Sequence, residues 1–272
     1  MPHRLAIATS RILCRNWARP HWRILYYHDV PAQMRETFSE QLDWFSDRFT
    51  WCSVSDGIHA LKHHSLDRPL LSLTFDDGDR SVWKVVMPLL ADRKIPACCY
   101  VVPDYVDQGR SYRDDEPRQM MTWGAVQEWL SVGNEVGSHT LTHAALPACS
   151  PHRRLQEIEW SQDRLQQRLG VPVTHFAYPW GQYDRECRRQ LREGGQYASV
   201  ATTQRGPMTS GHDPYALRRD RANPAQPPED LEFFMRLADR LYCLRHFRFR
   251  RVQTYWKAHP EIIWDTLPVQ HI

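Results

Sequence analysis

Two pairs of polar side chains in this chain have the types and the spacing of a catalytic metal site. One pair is Asp76 and Asp77, followed by a glycine, and the other is His139 and His143. Two imidazoles and one carboxylate form a common three-ligand set for catalytic Zn²⁺, which leaves a coordination position open for water. The second carboxylate could then accept a proton, because a bound metal lowers the pKa of water from about 15.7 to near 7.

Each pair by itself has a simpler explanation. Asp-Asp-Gly is more often a turn, and the His-x-x-x-His spacing places two rings on one face of a helix, which is commonly a surface feature. The positions of the pairs favour the catalytic interpretation. Each pair begins directly after a strand-like run, residues 70–75 and 135–138, and a third run, residues 173–178, ends in Pro-Trp-Gly. In a parallel barrel all three strand ends lie on the same rim.

The elements that would position these residues alternate along the chain between short apolar runs and longer amphipathic runs. This pattern is typical of a parallel sheet whose strands are connected by helices. Several runs are nearly all apolar, as expected for strands that are covered on both faces. The predicted strands are residues 23–27, 70–75, 97–102, 135–138, 173–178, 197–202 and 216–219. We therefore predict an α/β fold, an irregular (β/α) barrel of about seven parallel strands.

Capping signals indicate where several of the helices begin and end. Thr37 and Glu40 have the spacing of a capping box. Ser150 followed by proline is typical of a helix start, and Gly170 would end that helix. Asp184 is expected to cap a further helix that ends at the Gly-Gly pair 194–195. The apolar stripe of the long helix that follows Ser150 is Leu155, Ile158, Leu165 and Leu169.

Three motifs together resemble a known enzyme family. The segments LTFDDG, SHTLTH and FAYPWGQYD are similar, in this order, to the first three motifs of the polysaccharide deacetylase family. The segment RILYYHDV before them is similar to the opening strand of the subgroup that contains poly-N-acetylglucosamine deacetylases. The resemblance covers about residues 23–220, and the combination of motifs is specific although each is short.

The resemblance implies a role for each member of the two polar pairs. Asp76 corresponds to the general base, and Asp77, His139 and His143 correspond to the metal ligands, which agrees with the assignment from chemistry alone. The implied activity is removal of N-acetyl groups from an N-acetylated carbohydrate, with Asp76 taking a proton from water. The implied cofactor is one divalent metal ion, Zn²⁺ by default, with Co²⁺, Ni²⁺, Fe²⁺ and Mn²⁺ as alternatives.

The third motif is expected to contribute the substrate-binding wall. The residues concerned are Tyr178, Pro179, Trp180 and Gly181. Backbone N–H groups near Tyr178 would help to hold the oxyanion that forms on the acetamide, a contribution commonly worth about 3 to 4 kcal/mol per donor. Trp180 would stack on the sugar, whereas the alternative is a tryptophan buried in the core.

The chain departs from the family pattern at two places. The arginine that begins the third motif in much of the family, and that steadies the base, is replaced by Ala177, and the fourth motif that holds this arginine has no clear match. The support of Asp76 is therefore unassigned. The late Leu-x-His motif that supplies the general acid is also not evident.

His28 is the candidate for the missing acid. It ends the first predicted strand, so in a closed barrel it should reach the same rim as Asp77 and His139, and Asp29 beside it could orient or charge the ring. Amide hydrolysis needs a proton delivered to the departing amine, and histidine suits this role near neutral pH. Two alternatives are a histidine that only closes the strand end by hydrogen bonding and a histidine that joins the metal ligands.

Composition limits the classes of protein that fit. The 272 residues, 42% of them hydrophobic, are enough for one large domain. The net charge of +3 gives no indication of a nucleic-acid partner. The seven cysteines contain no Cys-x-x-Cys pair, which argues against a disulfide framework or a thiolate zinc site. No run is apolar enough for a signal peptide or a membrane span, so we expect a cytoplasmic protein.

Two basic extensions flank the predicted barrel domain of residues 23–245, at residues 1–22 and 246–272. The arginines near the two ends are Arg4, Arg11, Arg15, Arg19 and Arg23, and then Arg240, Arg245, Arg248, Arg250 and Arg251. With Phe247 and Phe249 among them, they suit a peripheral contact with anionic membrane or a lipid-linked substrate. A solvated surface that pairs with acids elsewhere is the simpler alternative.

Two other functions are compatible with parts of this sequence pattern. The same fold and metal could hydrolyse another non-peptide C–N bond, such as a formamide, because a fold does not fix the substrate. A protein of another class would bind glycans in the pocket without turnover, which the missing arginine and late histidine would favour. The intact Asp and His pairs argue against this last alternative.

Overall fold

A computed structural model describes residues 19–111 and 118–243 of the protein. These ranges contain eight strands: β1 (Trp22–Tyr27), β2 (Thr50–Trp51), β3 (Leu70–Asp77), β4 (Ala97–Val101), β5 (Glu135–Ser138), β6 (His175–Ala177), β7 (Ser199–Ala201) and β8 (Asp220–Arg221). The α-helices in them are α1 (Arg35–Ser46), α2 (Val54–Lys62), α3 (Met87–Arg93), α4 (Pro103–Gln108), α5 (Trp123–Ser131), α6 (Pro151–Leu169), α7 (Arg185–Gly194) and α8 (Pro228–Cys243).

The strands form one parallel sheet with the order β7-β6-β5-β4-β3-β1-β8, and the short β2 pairs with β3. All residues of β1 and β4 are buried, because helices cover one face of the sheet and the curled interior fills the other. The chain around β8 links the two ends of the sheet: Leu217, just before β8, bridges to Ala201 in β7, and Asp220 of β8 pairs with Leu25 in β1. The sheet therefore curls towards closure, and the predicted irregular (β/α) barrel is confirmed.

Most of the predicted strands agree with the observed ones to within two residues. The last is wrong, because residues Pro214–Ala216 form a 3₁₀ turn and the strand follows at Asp220–Arg221. The strand β2 was not predicted, since two residues are too short to show a pattern.

Helix caps were predicted with mixed success. Ser150 and Asp184 cap α6 and α7 as expected, each accepting a backbone N–H through its side chain. Thr37 is not a cap, because α1 continues from a 3₁₀ turn and begins two residues earlier, at Arg35. The capping box lies instead at the start of α2, between Ser53 and Asp56.

The basic extensions fall largely outside the described residues. Arg23, which the sequence placed among the basic residues of the first extension, is fully buried in β1 and pairs with Asp220 in β8 at 2.5 Å. It therefore contributes to barrel closure and not to a charged surface. None of the helices in the described ranges is long and apolar enough to cross a membrane.

Candidate active site

Three neighbouring strands of the sheet bring the predicted metal ligands to one rim. Asp76 and Asp77 are the last residues of β3, where Asp77 is in register with Val101 of β4, and Val101 is in register with Ser138 of β5. His139 follows Ser138 directly. Parallel pairing in this register therefore places the carboxylates and the first histidine side by side at the carboxyl ends of the strands. All of them are buried.

The side chains of Asp77, His139 and His143 converge on a common point. Asp77 Oδ1 lies 3.2 Å from His143 Nε2 and 3.6 Å from His139 Nε2. Among the residues that the structure describes, no other three His, Cys, Asp or Glu side chains are placed to share an ion. This oxygen is buried, and nothing in the described ranges donates a hydrogen bond to it. A buried carboxylate oxygen facing two imidazole nitrogens fits a divalent cation.

The protonation states suit metal binding. Burial lowers the pKa of His139 to about 4, so that this ring is neutral near pH 7. Burial alone would raise the pKa of Asp77, but the adjacent rings of His143 and His139 outweigh it and hold this pKa well below its ordinary value. A neutral imidazole and an ionised carboxylate are the forms in which these side chains bind metals.

Partners outside the cluster orient two of the ligands. His139 Nδ1 donates to the carbonyl of Ala177 at 2.8 Å, which leaves Nε2 without a proton and directed to the cluster. Arg118 Nη2 donates to Asp77 Oδ2 at 2.6 Å, so that only Oδ1 faces the histidines. No pattern in the sequence pointed to Arg118, because it lies between predicted elements.

His139 and His143 do not share a helical face, contrary to what their spacing suggested. The segment between them is a tight loop in which Thr140 and His143 have φ of 63° and 60°. Asp77 and Trp180 at the same rim also have positive φ, 73° and 61°. Such backbone costs about 1 to 3 kcal/mol per residue and is concentrated at functional sites.

Asp76 has a strong partner that sequence reasoning missed. Arg219, fully buried, donates through Nη1 to Asp76 Oδ1 at 2.6 Å and through Nη2 to Oδ2 at 2.9 Å. Its Nε donates to the carbonyl of Thr202 at 3.0 Å, and its guanidinium lies 4.5 Å from the ring centroid of Tyr26. Arg219 therefore provides the support of Asp76 that the sequence left unassigned, in place of the arginine missing at Ala177.

This pairing keeps Asp76 ionised. Burial would raise the pKa of Asp76, but Arg219, and after it His139, lower this pKa below its ordinary value. The signal in the sequence was an arginine followed by an aspartate, Arg219-Asp220, at the end of the last predicted strand. Only barrel closure between β7 and β1 brings this arginine to β3.

His28 lies at the same rim, as the sequence suggested. It follows β1 directly, is half-buried, and its ring makes an edge contact with Tyr26 at a centroid distance of 5.8 Å. It is close enough to Asp76 and Asp77 for its charge to contribute to lowering the pKa of both, after the larger effects named above.

The four residues of the predicted substrate wall differ in their exposure to solvent. Trp180 is 46% exposed, and its ring stands on edge 4.9 Å from that of His143, which excludes the alternative of a core tryptophan. Tyr178 and Pro179 are buried, and the N–H of Tyr178 donates to a sheet carbonyl, so this N–H is not the expected oxyanion donor. Gly181 has φ of 66°, and a Cβ there would come within 2.0 Å of a threonine hydroxyl.

Comparison with known proteins agrees with this geometry. The sequence model of the polysaccharide deacetylase family matches residues 57–198, just over half of the chain. The structure resembles the deacetylase PplD of Streptococcus pyogenes in complex with acetate, at a TM-score of 0.69 and 25% identity, over 79% of this chain and 99% of that one. It also resembles IcaB from Ammonifex degensii, at a TM-score of 0.68 and 25% identity, over 80% and 98% of the two chains.

A curated relative is similar over a shorter stretch. The chitooligosaccharide deacetylase of Sinorhizobium fredii is 28% identical over 130 residues, which cover 46% of this chain and 54% of that enzyme. The chain thus spans about half the length of this relative.

Proposed function

Because this chain belongs to the polysaccharide deacetylase family, we propose that it is a metal-dependent hydrolase that removes N-acetyl groups from an amino-sugar-containing glycan or sugar intermediate. The observation that carries the proposal is the buried Oδ1 of Asp77, which faces the Nε2 atoms of His139 and His143 beside the ionised Asp76. The similar proteins named as a chitooligosaccharide deacetylase and as a deacetylase bound to acetate support the same reaction.

The residues divide the reaction between them. A divalent metal held by Asp77, His139 and His143 would supply a Lewis acid that polarises the amide carbonyl and acidifies water. Asp76 accepts the proton of the attacking water as a bond forms between the water oxygen and the carbonyl carbon. Arg219 holds both carboxylate oxygens of Asp76, which keeps the base ionised and oriented.

The leaving amine then needs a proton, because an amide anion is a very poor leaving group. His28 is placed at the rim to donate it to the nitrogen as the C–N bond breaks, which gives acetate and a free amine. The exposed ring of Trp180 beside His143 offers an apolar face for the sugar.

The experiment is an acetate-release assay on protein that has been stripped with a chelator and reloaded with Zn²⁺, Co²⁺, Ni²⁺, Fe²⁺ or Mn²⁺. The substrates are chitin oligomers, β-1,6-linked N-acetylglucosamine oligomers and lipid-linked acetylated sugars. We expect acetate and a free amine in equal amounts from at least one of them, and only with metal.

Two other outcomes would assign a different function. Release of formate from an N-formyl sugar, without acetate, would favour hydrolysis of another C–N bond. Binding of an N-acetylglucosamine oligomer by metal-loaded protein, without release of amine, would favour a glycan-binding protein.

A further inference from the structure

A single buried side chain from α6, that of Glu157, holds the segment between the two histidines. It is 0% exposed, and it accepts the N–H of Thr142 at Oε2 (2.9 Å) and the hydroxyl of Thr142 at Oε1 (2.7 Å). The N–H of Leu141 donates to the backbone carbonyl of Glu157 at 3.1 Å. Glu157 thus accepts both backbone N–H groups that lie between Thr140 and His143.

The residues on either side of Leu141 and Thr142 have backbone conformations that need such support. Thr140 and His143 are both in the left-handed region, which persists only where surrounding contacts over-determine it. His139, in contrast, is fixed by the sheet through its N–H and its ring. The position of His143 relative to His139 therefore depends on Glu157.

The charge of Glu157 is balanced outside the metal site. Arg153, one turn earlier on α6 and partly exposed, donates to Oε1 at 2.5 Å. Glu157 does not belong to the group of potential ligands, so any influence on the metal passes through the loop. A buried, paired carboxylate that accepts two bonds from one residue is a rigid support.

We propose that Glu157 is a positioning residue of the metal site, which sets the direction of His143 Nε2 and thereby the affinity for the divalent ion. The inference rests on the proposed function, because it takes Asp77, His139 and His143 to be metal ligands. Removing a side chain that orients a ligand typically costs about 10- to 100-fold in metal affinity.

The test is the Zn²⁺ affinity of Glu157→Gln, measured by competition with a chromophoric chelator. Glutamine keeps the size of the side chain, but it has only one acceptor oxygen, so one of the two oxygens that accept from Thr142 is replaced by an NH₂ donor. We expect Zn²⁺ to bind about 10- to 100-fold more weakly than in the wild type. The visible absorption spectrum of the Co²⁺ form should also change, because the direction of one ligand changes. Thr142→Val removes only the hydroxyl bond and should give a smaller loss of affinity.

Tyr197→Phe is the matched control. The hydroxyl of Tyr197 donates to the carbonyl of Ile158 at 3.0 Å and so fastens the same helix, next to Glu157, without contacting the loop. This variant should lower Tm while leaving Zn²⁺ affinity within about threefold of the wild type. The same result for Glu157→Gln, a lower Tm with unchanged affinity, would show that Glu157 only anchors α6 and would overturn the proposal.

If Glu157→Gln does not fold, Thr142→Val decides, and unchanged affinity in that variant would overturn the proposal. Failure of the proposed function is separable from failure of this inference. Zn²⁺ binding by the wild type without acetate release from any substrate would overturn the deacetylase assignment, while the ratio of affinities would still test Glu157. A wild type that binds no Zn²⁺ would overturn both.

Discussion

The ion pair of Asp76 and Arg219 explains how a buried carboxylate can remain ionised, as the proposed base must be. Burial favours the protonated carboxyl, and the two-point contact with a guanidinium reverses this preference. In much of the family an arginine stands at the position of Ala177. Here the guanidinium that contacts Asp76 comes from a different strand end. The third motif by itself therefore does not reveal the arginine that contacts Asp76.

Replacing Arg219 by Met tests this support. The carboxylate of Asp76 would remain buried without its charge partner, which typically costs about 3 to 5 kcal/mol when one half of a buried pair is removed. Because burial then raises the pKa of Asp76, we expect the acidic limb of the kcat/KM profile to move to higher pH and kcat to fall. The neighbouring half-buried Arg218→Met is the control. A normal kcat/KM and pH profile for Arg219→Met would remove Arg219 from the site.

His28→Ala tests the general acid. We expect kcat to fall by roughly 10²- to 10⁴-fold with metal content and Tm unchanged, which is the range for a lost proton donor. The exposed His152 on α6 gives a matched control, since its alanine variant should retain wild-type activity. Activity of His28→Ala within a few-fold of the wild type would end this assignment, and loss of metal would place His28 among the ligands.

At the scale of elements, the opposite end of the sheet is tied together by Glu135, the first residue of β5. Its carboxylate accepts the N–H groups of Val54 (2.8 Å) and Ser55 (3.1 Å) at the start of α2, and lies 3.5 Å from His175 Nε2. His175 is buried and also contacts Ser199 Oγ at 2.9 Å. One carboxylate thus joins a helix and two strands.

Glu135→Gln should lower the free energy of unfolding by about 1 to 2 kcal/mol at pH 7, because the charge at a helix N-terminus is lost. Burial would raise the pKa of Glu135, but the hydrogen bond with His175 lowers it below the ordinary value. A lowered pKa stabilises the fold above the unfolded pKa, and this contribution is lost as pH falls through the folded value. Urea unfolding at a series of pH values down to about 3 should therefore show a difference from the wild type that is constant above the ordinary glutamate pKa of about 4.3 and shrinks below it.

The exposed Glu193→Gln on α7 is the control for Glu135→Gln, and it should change stability little at any pH. A difference between Glu135→Gln and the wild type that stays constant with pH would contradict the role of the charge.

Helices and strands could be predicted where one residue type or one hydrophobic period decides the local structure. Caps such as Ser150 and strands that are covered on both faces have local signals. The apolar stripe of α6 predicted that Leu155 is buried, and a pattern of apolar residues cannot identify a buried glutamate such as Glu157. In the structure Leu155 is exposed and Glu157 is buried, since its bonds to the histidine loop compensate for its desolvation.

At the scale of the molecule, the barrel and its rim were predicted from the sequence, whereas the residues that close the barrel were not. The two polar pairs follow strands, so parallel pairing alone brings them together. Arg219 and Arg23 act across the seam between β8 and its neighbours, and no local pattern specifies such a long-range pairing. Both arginines are buried in the core, although composition alone would place arginines on the surface.

The basic extensions give a further prediction at this scale. The arginines near the two ends of the chain, interspersed with phenylalanines in the second extension, should bind vesicles that contain anionic lipid at low salt, and high salt should release them. Flotation with anionic and neutral vesicles measures this. No binding to anionic vesicles at low salt would rule out the membrane contact and leave a solvated surface.

The proposed function assigns different roles to the two members of the Asp-Asp pair, the base to Asp76 and a metal ligand to Asp77. The most direct test measures bound metal and acetate release on the same preparations of Asp76→Asn and His139→Ala, with His152→Ala as the control and folding checked by circular dichroism. We predict that Asp76→Asn retains the metal content of the wild type but loses turnover, and that His139→Ala loses the metal. Loss of metal from folded Asp76→Asn, or wild-type turnover in either variant, would contradict the account.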